Sequence, residues 1–282
     1  IAMSAGSRRD DRLRERYGPW AVVTGASDGI GLEFARHLSA AGLSLVLVAR
    51  RRDRLEKIGG ELAAAHGVQI VAVDLDLAEA GATDRLAAAT RGIDVGLVIA
   101  AAGFGTSGPM IEASAESELA MIDVNCRAVA AQILLFGPKL RARGRGGFVL
   151  MSSLLAFQGV PRAANYAATK AYIQTLAEGL RLELAPLGIE VVASAPGPIH
   201  SGFAARAAMH MSIGQSPSVV AAATLAALGH RGTIRPGWLS KALEFSLAFL
   251  PRWGRARIMA LVMAGMTRQR HGKTFSQDRG PA

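Results

Sequence analysis

Tyr166 and Lys170 stand four positions apart in Asn165-Tyr166-Ala167-Ala168-Thr169-Lys170. On a helix that spacing puts both side chains on one face. A phenol ordinarily titrates near ~10, and a nearby ammonium favours its ionised form. The pair can therefore make tyrosine a general acid toward a ketone at neutral pH. Taken alone, such a pair also occurs on ordinary solvent-facing helices, so its meaning depends on its surroundings. Ser152-Ser153 ends an apolar run, with Ser153 thirteen residues before Tyr166.

A second constellation lies near the N-terminus. Thr24 to Gly31 reads TGASDGIG, between the apolar run Trp20–Val23 and a segment with helical spacing. Gly25 and Gly29 permit a turn that side chains would block, and Gly31 lets the following helix pack close. A helix start there presents free N–H groups and the positive end of its dipole to a pyrophosphate. A nicotinamide dinucleotide with a free ribose is usually met by an acidic residue about 20 positions on. Here Val48-Ala49 is followed by Arg50-Arg51-Arg52, with no carboxylate. A guanidinium suits a 2′-phosphate, because it stays charged and makes forked hydrogen bonds. Arg50, with Ser27 as its partner, favours NADP(H) over NAD(H).

These residues need a frame. Short apolar runs recur at 21–23, 44–48, 70–73, 96–99, 147–151 and 190–193, apolar on both faces as in a covered parallel sheet. Helical segments lie between them, at 31–41, 52–66, 114–135 and 165–185. The alternation predicts an α/β chain with a Rossmann-type doubly wound parallel sheet in a single domain. The expected organisation is a flexible segment over 1–18, the Rossmann domain over 19–236 and an apolar helical extension over 237–282.

With Ser153, Tyr166 and Lys170 set beside the glycine turn, the sequence resembles the short-chain dehydrogenase/reductase family, in register from roughly Ala21 to Ser201. The resemblance implies cofactor contacts from Gly25, Ser27, Gly29, Ile30 and Gly31. It matches Asp74, with Leu75 beside it, to the acidic residue that meets the adenine. Ala102 and Gly103 match the close approach after the fourth strand. Pro196, Gly197 and Ile199, followed by Ser201, match the stretch that meets the nicotinamide carboxamide. Ser153 would hold the carbonyl oxygen and Tyr166 would protonate it. Lys170 would lower the pKa of Tyr166 and bind the nicotinamide ribose. Asn125 would order a water beside Lys170. The implied activity is NADPH-dependent interconversion of a ketone or aldehyde and an alcohol. The implied partners are a small carbonyl or alcohol substrate and further copies of the chain, as a homodimer or homotetramer.

Three positions depart from the family pattern. Ala101 stands where an asparagine usually ties strands together. Asp28 stands where many NADP-using members carry a base. Ser201 replaces a threonine but keeps the hydroxyl.

Composition narrows the alternatives. The 282 residues are 50% hydrophobic, with one cysteine, Cys126, and a net charge of +10. A single cysteine forms no internal disulfide and fits a reducing compartment. The positive charge is mostly arginine and comes without a nucleic-acid module motif, so no nucleic-acid partner is expected. Scattered histidines lack metal spacing, and no metal is expected. No apolar run reaches the ~18 residues of a membrane span, and the polar start lacks the apolar core of a secretory signal. A cytoplasmic protein is expected. The tail carries apolar sets at 239–250 and 256–266, then Arg268 and Arg270. It has three readings: a cover for the cleft or a subunit neighbour, a peripheral membrane contact, or completion of the core. Two other activities fit the same residues: a β-ketoacyl or steroid reductase at a membrane surface, and a non-catalytic NADP-binding scaffold.

Overall fold

The computed structural model describes residues 5–199, 214–237 and 250–267. Seven parallel strands form one sheet: β1 (Trp20–Thr24), β2 (Ser44–Ala49), β3 (Ile70–Asp74), β4 (Val95–Ala100), β5 (Gly146–Met151), β6 (Ile189–Ser194) and β7 (Thr233–Ile234). Their order is β3-β2-β1-β4-β5-β6-β7. β1 and β4 are neighbours although two strands separate them in sequence. The direction of winding reverses there, and the crevice beyond the strand ends at such a point is where α/β sheets take ligands.

The apolar runs become strands because both faces are covered. On one face lie α2 (Gly29–Ala40), α3 (Arg52–His66) and α8 (Pro217–Ala227), burying Phe34, Leu38, Leu55 and Leu225. On the other lie α4 (Ala82–Ala89), α6 (Ala128–Arg143) and α7 (Ala164–Leu184), burying Leu86, Phe136, Leu140 and Ile173. The single doubly wound domain expected from the alternating pattern is therefore present.

The expected helix over 114–135 runs on to Arg143 and has an internal irregularity. It comprises α5 (Ala115–Ile122), a π-helical turn over Asp123–Arg127, and α6. Taken together, Ala115–Arg143 reaches the length and mean hydropathy (1.6) of a membrane span. The core helix of a soluble protein passes the same test, and Met121, Val129, Phe136 and Leu140 here are buried in the core.

The N-terminal segment departs from expectation. Residues 1–18 read as flexible, yet Ala5–Tyr17 form a helix, α1. Leu13 and Tyr17, four apart on one face, are fully buried under the N-terminal ends of the strands. Arg12 donates to the Leu228 carbonyl (2.8 Å), Arg16 to Glu190 Oε1 (3.0 Å), and the Tyr17 hydroxyl to Glu190 Oε2. Two apolar residues among many charges were too sparse to reveal a buried face. Burial and the Glu190 carboxylate hold the Tyr17 phenol far above its usual range.

At the other end, α9 (Arg252–Thr267) contains the expected helix over 256–266. Of the apolar set at 239–250, residues 239–249 lie outside the described residues, as does Ser201.

Candidate active site

The glycine turn joins β1 to α2 at the reversal point. Gly25 (φ +69) and Gly29 (φ +55) both take the left-handed backbone that favours glycine. A Cβ on Gly25 would lie 2.9 Å from the Ala102 backbone, and one on Gly31 would lie 2.2 Å from the Gly25 carbonyl oxygen. Asp28 is the N-cap of α2 and accepts from the Gly29 N–H at 2.8 Å.

In front of this turn opens a cleft of about 460 Å³. Gly25, Ser27, Asp28, Gly29, Ile30 and Gly31 line one side, and Ala101, Ala102, Gly103 and Phe104 the other. Val48, Ala49, Arg50 and Arg51 form an end wall, with Leu75 and Asp76 beside them. Asp74 is not among the lining residues. Its carboxylate lies 3.9 Å from Arg52, and Asp76 faces the cleft instead, 3.6 Å from Arg50. Arg51 donates to Ser27 Oγ at 3.4 Å, and Arg54 lies 3.7 Å from Asp28. Arg54 was missed from the sequence; its signal was its place in the first turn of α3, just after the arginine run. Ala120 and Val124 also line the cleft, and as apolar residues on helical elements they carried no signal.

The link lost at Ala101 has a substitute. Thr24 Oγ1 donates to the Ile99 carbonyl (3.3 Å) and accepts from the Ala102 N–H (3.2 Å). One hydroxyl thus ties β1 to the end of β4.

Ser153, Tyr166 and Lys170 come together past the ends of β4 and β5, all buried. Ser153 begins a 3-10 turn and accepts from the Leu155 N–H at 3.2 Å. Burial pushes the Tyr166 phenol up to about 12, and a hydrogen bond with Ser153 pulls it down only in part. Burial also lowers Lys170 to about 8. Its ammonium donates to the Met151 carbonyl at 2.8 Å and lies 5.8 Å from the centre of the Tyr166 ring. Burial is the largest influence on Tyr166 in this geometry, and the one lowering contribution comes from Ser153. At pH 7 the pair is a neutral phenol beside an ammonium.

Asn125 lies in the π-helical turn, a feature frequent at functional sites. Its amide donates to the Phe104 carbonyl (2.9 Å) and Thr169 Oγ1 (3.1 Å) and accepts from the Phe104 N–H (3.1 Å). Asn125 Oδ1 and Lys170 Nζ converge on Gly103, where a Cβ would meet them at 2.9 and 3.4 Å. The expected contact of Gly103 with a ligand thus has a structural counterpart in side chains that leave no room for a Cβ. Pro196 accepts from the Leu154 N–H at 3.0 Å, so the Pro196–Ile199 stretch is fixed beside Ser153, while Ile199 is buried in the core. Cys126 is half-buried, and its thiol is raised by burial, against a reactive role. Among the described residues no group of acidic, histidine and cysteine side chains could hold a metal.

A family model described as short chain dehydrogenase matches residues 19–211. The chain belongs to this family. The short-chain dehydrogenases are oxidoreductases of the CH–OH/C=O type that use NAD(P), and this chain is one of them. It is 32% identical over 185 residues to a 7beta-hydroxysteroid dehydrogenase of Clostridium sardiniense, covering 66% of this chain and 71% of that protein. A solved 7beta-hydroxysteroid dehydrogenase structure aligns with a TM-score of 0.81 at 25% identity, covering 88% of this chain and 98% of the other. A short-chain dehydrogenase from Sphingobium yanoikuyae, solved with NADPH, aligns with a TM-score of 0.74 at 27% identity, covering 82% and 93%.

Proposed function

We propose that this dehydrogenase reduces a ketone on an apolar framework with NADPH, using Tyr166 as the proton donor. The observation that carries this reading is the buried Ser153–Tyr166 hydrogen bond, with Lys170 one turn further along α7.

The cofactor reading rests on fit. Gly25 and Gly31 leave no room for a Cβ, and the turn they frame faces a cleft. Its backbone and the start of α2 would hold the pyrophosphate. Arg50 and Arg51, with Ser27, would hold a 2′-phosphate. Asp28 does not oppose this, because its carboxylate is engaged by the Gly29 N–H and lies near Arg54. The NADPH bound to the Sphingobium yanoikuyae protein supports the same preference. When bound, the nicotinamide supplies a hydride to the carbonyl carbon.

The chain's own residues would do the rest. The Ser153 hydroxyl holds the carbonyl oxygen. Tyr166 gives that oxygen its proton, which a phenol held at about 12 retains at neutral pH. The Lys170 charge stabilises the phenolate left behind and draws a replacement proton. Asn125 holds the Gly103–Phe104 backbone against Lys170. Ketone on an apolar framework is preferred because the described residues packed with Tyr166 are Met121, Val160, Ala163, Ala167 and Met263, with Phe104, Leu155 and Met259 beside them. The two steroid-dehydrogenase relatives fit that preference.

The test is Tyr166→Phe, assayed for NADPH oxidation with a panel of ketosteroids, bulky ketones and acyl thioesters. Turnover is expected to fall at least 100-fold, the scale of general acid catalysis, with NADPH affinity within about twofold. Full activity in this variant would sink the mechanism.

A further inference from the structure

Glu118 is an acidic residue in the first two turns of α5, yet only 6% of its surface is exposed. Among the described residues no cation pairs with it. Its two carboxylate oxygens go to two different segments. Thr106 Oγ1 donates to Oε1 at 2.5 Å, and Asn165 Nδ2 donates to Oε2 at 2.7 Å. Asn165 also donates to the Glu118 backbone carbonyl at 3.0 Å. Thr106 belongs to the loop after β4 that continues from Gly103 and Phe104. Asn165 is the residue before Tyr166.

The first turn of α7 otherwise lacks what a helix start needs. Its N-cap, Ala163, has no side chain that accepts a hydrogen bond, and the first turn contains no acid. A carboxylate at a helix N-terminus is favourable because it meets the positive end of the dipole. Glu118 supplies that charge from a neighbouring helix. One further bond, Gly108 N–H to the Arg162 carbonyl at 2.8 Å, ties the same loop to the residues just before α7.

We infer that Glu118 is a positioning residue: its carboxylate clamps the Thr106 loop to the start of α7 and so fixes Tyr166 against Ser153. This rests on the proposed role of Tyr166. A buried carboxylate costs free energy unless its hydrogen bonds are made. Here the cost is offset by two donors to the carboxylate and a helix end. The clamp fixes where the tyrosine oxygen stands while leaving the glycine turn, on the far side of the cleft, unaffected.

The experiment compares Glu118→Ala and Glu118→Gln in the full chain. Glutamine keeps one acceptor for Asn165 and can donate to a reoriented Thr106 hydroxyl. Ketone reduction by Glu118→Ala is expected to lose about tenfold or more in kcat, with KM for NADPH within about twofold, and Glu118→Gln is expected to recover most of the loss. Hydrogen exchange of peptides covering 104–109 and 160–170, with NADPH present, is expected to quicken in Glu118→Ala and not in Glu118→Gln. That second readout does not need turnover, so it separates a failed clamp from a failed reductase assignment. Unchanged kcat in a folded Glu118→Ala, or unchanged exchange in both peptides, overturns the proposal. If alanine unfolds the chain, Asn165→Ala is measured instead, and an unchanged kcat there overturns it equally.

Discussion

Lys170 and Tyr166 are buried together, and burial acts on them in opposite directions: the amine is lowered to about 8 and the phenol raised to about 12. Each shift opposes the charged form. The proposed ketone reduction needs the phenol neutral and the amine charged, a state held on the acid side of the lysine value. The expected pH profile of kcat/KM for reduction is therefore level between pH 6 and 7 and falling above about 8 as Lys170 loses its proton. A level profile to pH 10 would count against the lysine. The sign for stability is the reverse. The folded lysine value lies below the unfolded one, so the burial cost is full below about 8 and fades as pH rises toward 10.5. The proposed reacting residues were legible because tyrosine, lysine and serine at those spacings have few other readings together. Asp74 and Asp76 were not separable by letters. Which of two alternate carboxylates faces a cleft depends on where β3 ends and how the chain leaves it, and Arg50 and Arg52 also select between them.

Elements set how firmly the site is held. The apolar runs of strand length were readable because covered parallel strands carry no polar face. The π-helical turn at Asp123–Arg127 was not, since one extra residue per turn leaves no mark on hydrophobic spacing. Nor was α1 readable: its burial is decided by partners on β6 and just after α8, far away in sequence. Leu13 is the apolar centre of that contact. Leu13→Ala is expected to lower stability by about 2–5 kcal/mol, the range for leucine truncation in a core. Urea unfolding would measure it. NADPH affinity should stay unchanged, because α1 lies at the opposite ends of the strands from the glycine turn. A stability loss under 0.5 kcal/mol would mean that α1 does not pack as described.

Across the whole molecule the net charge is +10, with 32 basic and 22 acidic residues. Such an excess need not mean a polyanionic partner; part of it is spent at one place. Arg50 and Arg51 line the end wall of the cleft, with Arg54 near its Asp28. Hydrogen bonds to charged groups contribute about 1.5–3 kcal/mol each, and about 1.4 kcal/mol is tenfold in affinity. Arg50→Ala is expected to weaken NADPH binding about tenfold or more and leave NADH nearly untouched, as read by titration of nicotinamide fluorescence. Equal losses for both would remove the 2′-phosphate assignment. The wall was legible in outline, since three consecutive arginines after a strand are conspicuous. Its balance was not, because the neutralising carboxylates of Asp28 and Asp76 come from two other loops.

The placement of α1 has a practical side. It closes the N-terminal ends of the strands, while the cleft opens at their C-terminal ends. A solid support or a fused reporter attached at the start of α1 would therefore stand behind the sheet. The cofactor mouth would still face the medium, and the enzyme could be recycled on a bead without losing access to its nicotinamide cofactor.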